Sequence, residues 1–263
     1  GGLSGWLALS RSVDVQQIAH SQGPAIVRSV AAFRDALPKL TTAESLVDDP
    51  ATLTVVLGAY GLQDDLANKF FIRKIMEDGI SSTDALANRL ADPRYAQLAA
   101  DFDFSDGPPQ NLSDPAFLAS LQSRYERQQF EVAVGQQDVS MRLSLSLERE
   151  LSTLVERVKG EDAQWFAVMG SPPLRRVFET ALGLPKETAA IDIDRQLTMF
   201  RDRAEARFGY ETPAAFLENG GLEELRRAYL VSVGSEAAPS SPALTLLTGR
   251  STSQSILSAL YRF

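Results

Sequence analysis

Pairs of a capping aspartate and a proline divide this chain into short apolar segments. Three such pairs begin at Asp49, Asp92 and Asp114. The aspartate can cap a helix, and the missing N–H of the following proline costs nothing in the first helical turn. Gly61 and Gly79 follow apolar residues at helical spacing, which is a common end of a helix. These start and end signals predict a series of short helices, among them 62–78, 82–90 and 93–102.

Residues 115–159 contain few helix breakers, so they predict two long helices or one bent helix, interrupted at Gly135. The apolar residues at 141, 143, 145 and 147 alternate as in a strand, but Leu147, Leu151 and Leu154 follow helical spacing. The flanking Glu and Arg residues favour the helix, and a lone strand would have no partner. Since no other segment has a strand pattern of useful length, the sequence predicts an all-α fold.

The chain matches itself weakly when it is shifted by about 122 residues. The shift places Pro50, Val55, Ala59, Gly61 and Leu62 on Pro172, Val177, Ala181, Gly183 and Leu184. We therefore expect a compact helical bundle with two degenerate tandem copies of a four-helix unit, at about 42–104 and 163–231, joined by a long helical connector over 113–159. A single copy would expose an apolar face, so the two copies should pack together.

Composition excludes several classes of site. The chain has no cysteine, so disulfides, thiol nucleophiles and sulfur-ligated metals are excluded. Its single histidine, His20, would have to be the base of any Ser-His-Asp arrangement. The formal charge of −8 offers no basic surface for nucleic acid, and no apolar run approaches the ~18–20 residues that cross a bilayer. We expect neither nucleic-acid binding nor membrane insertion.

No motif predicts a catalytic, cofactor-binding or metal-binding residue. The acidic string at 101–107 resembles the start of a calcium loop, but Asp106 and Leu112 stand where such a loop needs glycine and a bidentate carboxylate. Asp192 and Asp194 point to different faces of a predicted helix. The glycines have no phosphate-loop spacing. The sequence therefore predicts no cofactor.

The two ends of the chain carry apolar residues that could bind a partner. Residues 232–241 have the composition of a linker, so we expect one domain over 1–231 and a linker with a short amphipathic segment over 232–263. Either end could pack on the bundle or on another protein. The candidate partner-binding residues are Trp6, Ile256, Leu257, Leu260 and Tyr261.

The segments at 69–75 and 84–95 resemble an uncharacterised, mainly alphaproteobacterial family that is catalogued as a domain of unknown function. The pairs at 61–62 and 165–166 and the segments at 172–174 and 181–185 fit the same pattern, so the resemblance covers about residues 1–247. Members of this family are often labelled flagellar proteins from the genes around them. The residues at 255–260 also resemble the apolar C-terminal ends of flagellins.

The resemblance implies a non-enzymatic protein that acts in flagellar assembly or structure through protein–protein contacts, with flagellar components as partners. It would lie in the bacterial flagellum or be exported by the flagellar secretion route, or else remain cytoplasmic as an assembly factor. An alternative function is a small-molecule-binding protein or hydrolase with its site between the two helical repeats, since duplicated units can form a cleft where they meet. The sequence does not predict whether the protein forms a homo-oligomer.

Overall fold

The computed structural model describes residues 2–236, and within these residues the backbone forms helices and no strand. The predicted all-α fold class is confirmed. Thirteen α-helices lie in this part of the chain: α1 (Gly2–Ser10), α2 (Val13–Ser21), α3 (Pro24–Ala36), α4 (Ala43–Asp48), α5 (Pro50–Ala59), α6 (Lys69–Asp78), α7 (Pro93–Asp101), α8 (Pro115–Gln137), α9 (Val139–Arg157), α10 (Glu161–Gly170), α11 (Pro172–Leu182), α12 (Ile193–Phe208) and α13 (Gly221–Glu236).

The three Asp-Pro pairs begin helices, as predicted. The carboxylate of Asp49 accepts a hydrogen bond from the Thr52 N–H at 2.9 Å, which caps α5. Asp92 and Asp114 cap α7 and α8 in the same way, and a proline follows each of them in the first turn. These starts could be predicted because a cap depends on residues only two or three positions apart.

Two predicted helices are shorter in the structure. The segment 62–78 contains a 3-10 turn at Gln63–Asp65 before α6 begins, since the Asn68 side chain bonds the Asp65 carboxylate at 2.8 Å and supports a turn. The segment 82–90 contains only a 3-10 turn at Leu86–Arg89. There the side-chain amide of Asn88 donates to two carbonyl oxygens, of Ile80 and Ser82, that do not belong to a helix.

The segment 115–159 forms two long helices, and they are separated at Asp138, not at Gly135. Asp138 has an extended backbone, and its carboxylate accepts hydrogen bonds from the first N–H groups of α9. Gly135 lies inside α8, where a Cβ atom would be 2.6 Å from Cδ of Arg142. The glycine therefore allows α9 to fold back closely along α8. The predicted helix over residues 141–154 is confirmed, since it lies within α9.

The buried side chains form two apolar cores. The first core lies among α3 to α8, and the second lies among α9 to α13, with residues of α1 packed against it. Trp165 is at the centre of the second core, with the rings of Phe178 and Phe200 at centroid distances of 5.5 and 6.0 Å. The antiparallel helices α8 and α9 pack against each other and so join the two cores. α8 contributes side chains to the first core and α9 to the second.

The order of elements is the same in the two stretches that the sequence predicts as repeats. Both contain two helices, a 3-10 turn, a helix, a second 3-10 turn and a last helix, from α4 to α7 and from α10 to α13. Their neighbours differ, because α11 packs mainly on α13 whereas α5 packs mainly on α8. The duplication therefore stays a prediction.

The last helix of the described residues continues to Glu236, which is five residues beyond the predicted end of the domain at 231. The rest of the predicted linker and the C-terminal segment lies outside the described residues. Within residues 2–236, no helix is both long enough and apolar enough to span a membrane.

Candidate functional site

Of the predicted partner-binding residues, the structure describes one. Trp6 is half-buried on α1 and packs against the second core. The guanidinium of Arg226 lies 4.7 Å from the centre of the Trp6 ring, so α1 is held to α13 by a cation–π contact. Partner binding by Trp6 stays a prediction. Ile256, Leu257, Leu260 and Tyr261 lie outside the described residues.

The N-terminal helices expose apolar side chains to solvent. Val15 and Ile18 are 72% and 59% exposed, and they are three residues apart on α2, so they share one face of the helix. Leu7 on α1 and Val27 on α3 are also about half exposed. A groove of about 450 Å³ runs between the N-terminal helices and the α8–α9 pair, and its apolar lining includes Leu9, Ala19, Phe130, Ala133, Val134 and Met141.

The molecule has two halves, one built around the first core and one around the second. A second concave region, which we call the cleft, lies between them. It consists of two adjoining cavities of about 230 and 460 Å³ that share three lining residues, Arg94, Gln128 and Glu150. Its walls are the end of α5, the start of α7, the middle of α8 and α9, and the start of α11. The arginines that line it are Arg94, Arg124, Arg127, Arg142, Arg149 and Arg176.

Arg149 and Glu131 form a bidentate ion pair in the cleft. Nη1 and Nη2 of Arg149 donate to the two carboxylate oxygens of Glu131 at 2.6 and 2.7 Å. Glu131 is buried on α8, and Arg149 is half-buried on α9. Burial alone would lower the pKa of Arg149, but the hydrogen bonds to Glu131 hold it above its ordinary value.

Arg94 connects the start of α7 to the end of α5. Its guanidinium bonds both carboxylate oxygens of Asp92, with Nη2 at 2.7 Å from Oδ2, and its Nη1 donates to the carbonyl oxygen of Gly61 at 2.7 Å. Burial would lower the pKa of Arg94, but the bonds to Asp92 raise it above its ordinary value. The charge of Arg94 is therefore held in place at the mouth of both cavities.

Tyr60 and Asp101 bring the third arginine of the cleft into position. The Tyr60 hydroxyl donates to Oδ2 of Asp101 at 2.6 Å, and Nη1 of Arg124 lies 3.6 Å from the same oxygen. The guanidinium of Arg124 also lies 4.7 Å from the centre of the Tyr60 ring. Burial raises the pKa of the Tyr60 phenol well above its ordinary value, so this hydroxyl remains a donor at neutral pH.

In two groups of the cleft, Arg127 and Glu150, burial shifts the pKa against the charged form. Arg127 has a buried Nε without a hydrogen bond, and its pKa is lowered by burial first and then by the nearby charge of Arg149. Burial raises the pKa of the Glu150 carboxyl, although Arg149 and Arg94 act in the opposite direction. Shifted pKa values that converge in one concave region are typical of functional sites, and also of structural ion-pair networks.

The acidic residues that the sequence analysis considered have structural roles. The carboxylate of Asp103 bonds the Ser105 backbone N–H at 2.9 Å, and Asp101 bonds Tyr60. Asp192 caps α12. Within residues 2–236, no cluster of three or more His, Asp or Glu side chains could hold a metal ion.

Sequence reasoning did not find the cleft as a set of residues. Its lining comes from five α-helices and the 3-10 turn at Gln63–Asp65, all between residues 59 and 176, so no local spacing connects its members. One local signal is present: Arg124 and Arg127 lie three residues apart on α8, which places two cations on one face of a helix next to buried leucines.

Comparison with known proteins places this chain in a family. The model of a family described as "protein of unknown function (DUF1217)" matches residues 59–209, which contain every lining residue of the cleft. The fold is similar to the X-ray crystal structure of an Agrobacterium tumefaciens protein from a structural genomics consortium, with a TM-score of 0.72 and 23% identity over 89% of this chain and 94% of that chain. A comparison with curated proteins found no match. Because the family model covers more than half of the chain, this protein belongs to the DUF1217 family of proteins of unknown function.

Proposed function

We propose that this protein acts in flagellar assembly or structure through protein–protein contacts and has no catalytic role. The flagellar part of the proposal rests on the resemblance described above, since members of that family are often labelled flagellar proteins from neighbouring genes. The contact role is supported by two observations, the exposed apolar side chains on α1, α2 and α3 and the groove between the N-terminal helices and the α8–α9 pair.

These helices offer the kind of surface that binds an amphipathic helix. Val15 and Ile18 present a row of apolar groups, and Phe130 and Met141 line the groove next to α2. Fully burying a side chain of this size against a partner contributes about 1.5–3 kcal/mol, so a few such contacts support a specific complex. We propose that the partner is the apolar face of a helix in another flagellar protein.

The surroundings of the single histidine support a role without catalysis. The ring of His20 packs edge-on against Phe130 at a centroid distance of 5.9 Å, and its Nδ1 is buried without a hydrogen-bond partner. In a serine hydrolase, this nitrogen would be held by a carboxylate. His20 therefore has the surroundings of a packed side chain.

The place of action is tested by cell fractionation. A tagged copy would be followed in the cytosol, the culture medium and purified flagella, in strains with and without a working flagellar export ATPase. Appearance in flagella or medium only when export works would support an exported structural component. Retention in the cytosol would support an assembly factor, and full motility of a deletion strain would contradict both versions.

The proposed contact surface is tested by Ile18→Asp. The variant should lose partner pull-down and motility, because a carboxylate would have to be desolvated in the complex. Ile193→Asp is the matched control, since Ile193 is 47% exposed at the start of α12, in the other half of the molecule. Equal effects of the two variants, with both proteins folded by circular dichroism, would contradict a contact at α2.

A further inference from the structure

The cleft contains polar groups that the protein leaves unsatisfied. Ser171 lines the smaller cavity and is 1% exposed, and its buried hydroxyl has no hydrogen-bond partner in the described part of the chain. Arg124 and Arg127 line the same cavity, and their Nε atoms are also buried without a partner. A buried polar group without a partner destabilises the fold, so three of them around one cavity need an explanation.

Comparison with Asp49 in the other half of the molecule shows that Ser171 lacks a side-chain capping hydrogen bond. The shift of about 122 residues places Asp49 on Ser171, and both residues stand at the N-cap of a helix that begins with proline. Asp49 uses its side chain to accept hydrogen bonds from the N–H and the hydroxyl of Thr52. The Ser171 side chain makes no capping hydrogen bond, so its hydroxyl is free to bind something else.

Four arginines, Arg94, Arg124, Arg127 and Arg149, and one acidic residue, Glu150, line the cavity at Ser171, and this excess of positive charge favours an anion. The start of α11 carries the positive end of a helix dipole, and this helix is eleven residues long. Arg127 supplies a full positive charge at the same cavity, and no ion pair joins it to an acidic side chain within residues 2–236. The neighbouring arginines 94 and 149 are already held by Asp92 and Glu131, so Arg127 has donors left for a ligand.

We propose that the cleft binds a small oxyanion, a phosphate or carboxylate group, between the Arg127 guanidinium and the Ser171 hydroxyl at the start of α11. A guanidinium donates two parallel hydrogen bonds to either kind of group, and a serine hydroxyl donates a third. The role goes beyond the proposed protein contacts and is independent of them. The site lies between the two halves of the molecule.

The size of the cleft limits the ligand. The smaller cavity, of about 230 Å³, is below the usual range for drug-sized ligands, so it fits the charged group of a small molecule. The adjoining cavity of about 460 Å³, which Arg142 and Arg176 line, has room for the rest of the ligand molecule. An anion bound here would contact α8 and α11, which belong to different cores, and would strengthen the contact between the two halves.

Titration calorimetry and thermal unfolding of the full chain test the site. Sodium phosphate and sodium succinate are compared with sodium chloride at equal ionic strength, so that general screening cancels. We expect phosphate or succinate to release or absorb heat with saturation and to raise the Tm, because a ligand that binds only the folded state stabilises it. The salt that binds with saturation and raises the Tm shows whether the site takes a phosphate or a carboxylate group.

Variants locate the binding. Arg127→Gln and Ser171→Ala should each weaken the binding of the active salt at least tenfold, whereas Arg195→Gln should not, since Arg195 is exposed on α12 and does not line the cleft. If Arg127→Gln fails to fold, Ser171→Ala alone tests the site. Saturable binding that neither variant weakens would overturn the site. The absence of heat and of a Tm shift with both anions would overturn the proposal, and it would leave the motility tests unaffected.

Discussion

Arg149 and Glu131 join the two longest helices through a pair of parallel hydrogen bonds of 2.6 and 2.7 Å. Glu131 is 3% exposed, and its buried carboxylate accepts both of these hydrogen bonds. Arg149→Ala should therefore lower the free energy of unfolding by about 2–3 kcal/mol, because it leaves a buried carboxylate unpaired while the half-buried position admits some water. Urea unfolding at neutral pH measures this loss.

An exposed pair gives the matched control for this ion pair. Nε of Arg73 bonds the Glu77 carboxylate on α6 at 2.6 Å and its Nη1 lies 3.2 Å from the Glu44 carboxylate, but these three side chains are 37%, 41% and 61% exposed. Arg73→Ala should leave the urea midpoint almost unchanged, because water replaces the lost partner. Adding Glu131→Gln to Arg149→Ala should recover part of the stability, since the unpaired charge is then removed. Equal losses for Arg149→Ala and Arg73→Ala would contradict the role of burial.

Glu150 makes the stability of the fold depend on pH. Burial raises the pKa of its carboxyl above 4.5, so the folded protein holds this proton more tightly than the unfolded chain does. The contribution of Glu150 to stability is therefore greatest at low pH and decreases as the pH rises from about 4.5 through the pKa of the folded state. Glu150→Gln should raise the free energy of unfolding at about pH 8 and leave it nearly unchanged at about pH 4.

The control for this prediction lies two residues away on the same helix. Glu148 is exposed on α9, and Glu148→Gln removes the same charge without removing a buried group. Chemical unfolding of both variants across this pH range should show a gain that grows with pH for Glu150→Gln alone. A loss of stability in Glu150→Gln at the higher pH would mean that attraction to Arg94 and Arg149 outweighs burial.

The sequence predicted those parts of the fold that depend on neighbouring residues. The starts of α5, α7 and α8 follow from an aspartate and the proline beside it, and the cap is complete within three residues. The sequence places the break between the two long helices at Gly135, since glycine is a strong helix breaker, but the structure places it at Asp138, whose extended backbone and carboxylate cap begin α9. Gly135 stays inside α8, and its missing Cβ leaves the space that the Arg142 side chain occupies.

The cleft could not be predicted from local patterns. Arg94 and Ser171 meet there because α8 and α9 fold back on each other and bring the two halves together, and neither residue belongs to a motif. The capping potential of Ser171 was visible in the sequence, since it precedes two prolines. That its hydroxyl makes no capping bond could be known only from the structure.

Gly170 fixes the distance between the two halves beside the cleft. It is the last residue of α10, and a Cβ atom there would lie 2.6–2.7 Å from the Cβ, C and O atoms of Ala91, which precedes α7 in the other half. Real Cβ atoms do not approach backbone so closely, so the halves would have to separate. Gly170→Ala should destabilise the protein by about 1–3 kcal/mol and should weaken anion binding at the neighbouring Ser171.

Gly234 provides the control for Gly170→Ala, because it lies near the end of α13 and an added Cβ atom would meet nothing within 4 Å. Gly234→Ala should stabilise the protein by up to about 0.5–1 kcal/mol, since alanine loses less backbone entropy in a helix. Opposite signs for the two variants in thermal unfolding would show that the close contact with Ala91 decides the effect at Gly170. If Gly170→Ala also stabilised the protein, the two halves would have to adjust freely against each other, and the cleft would not be a fixed feature of the fold.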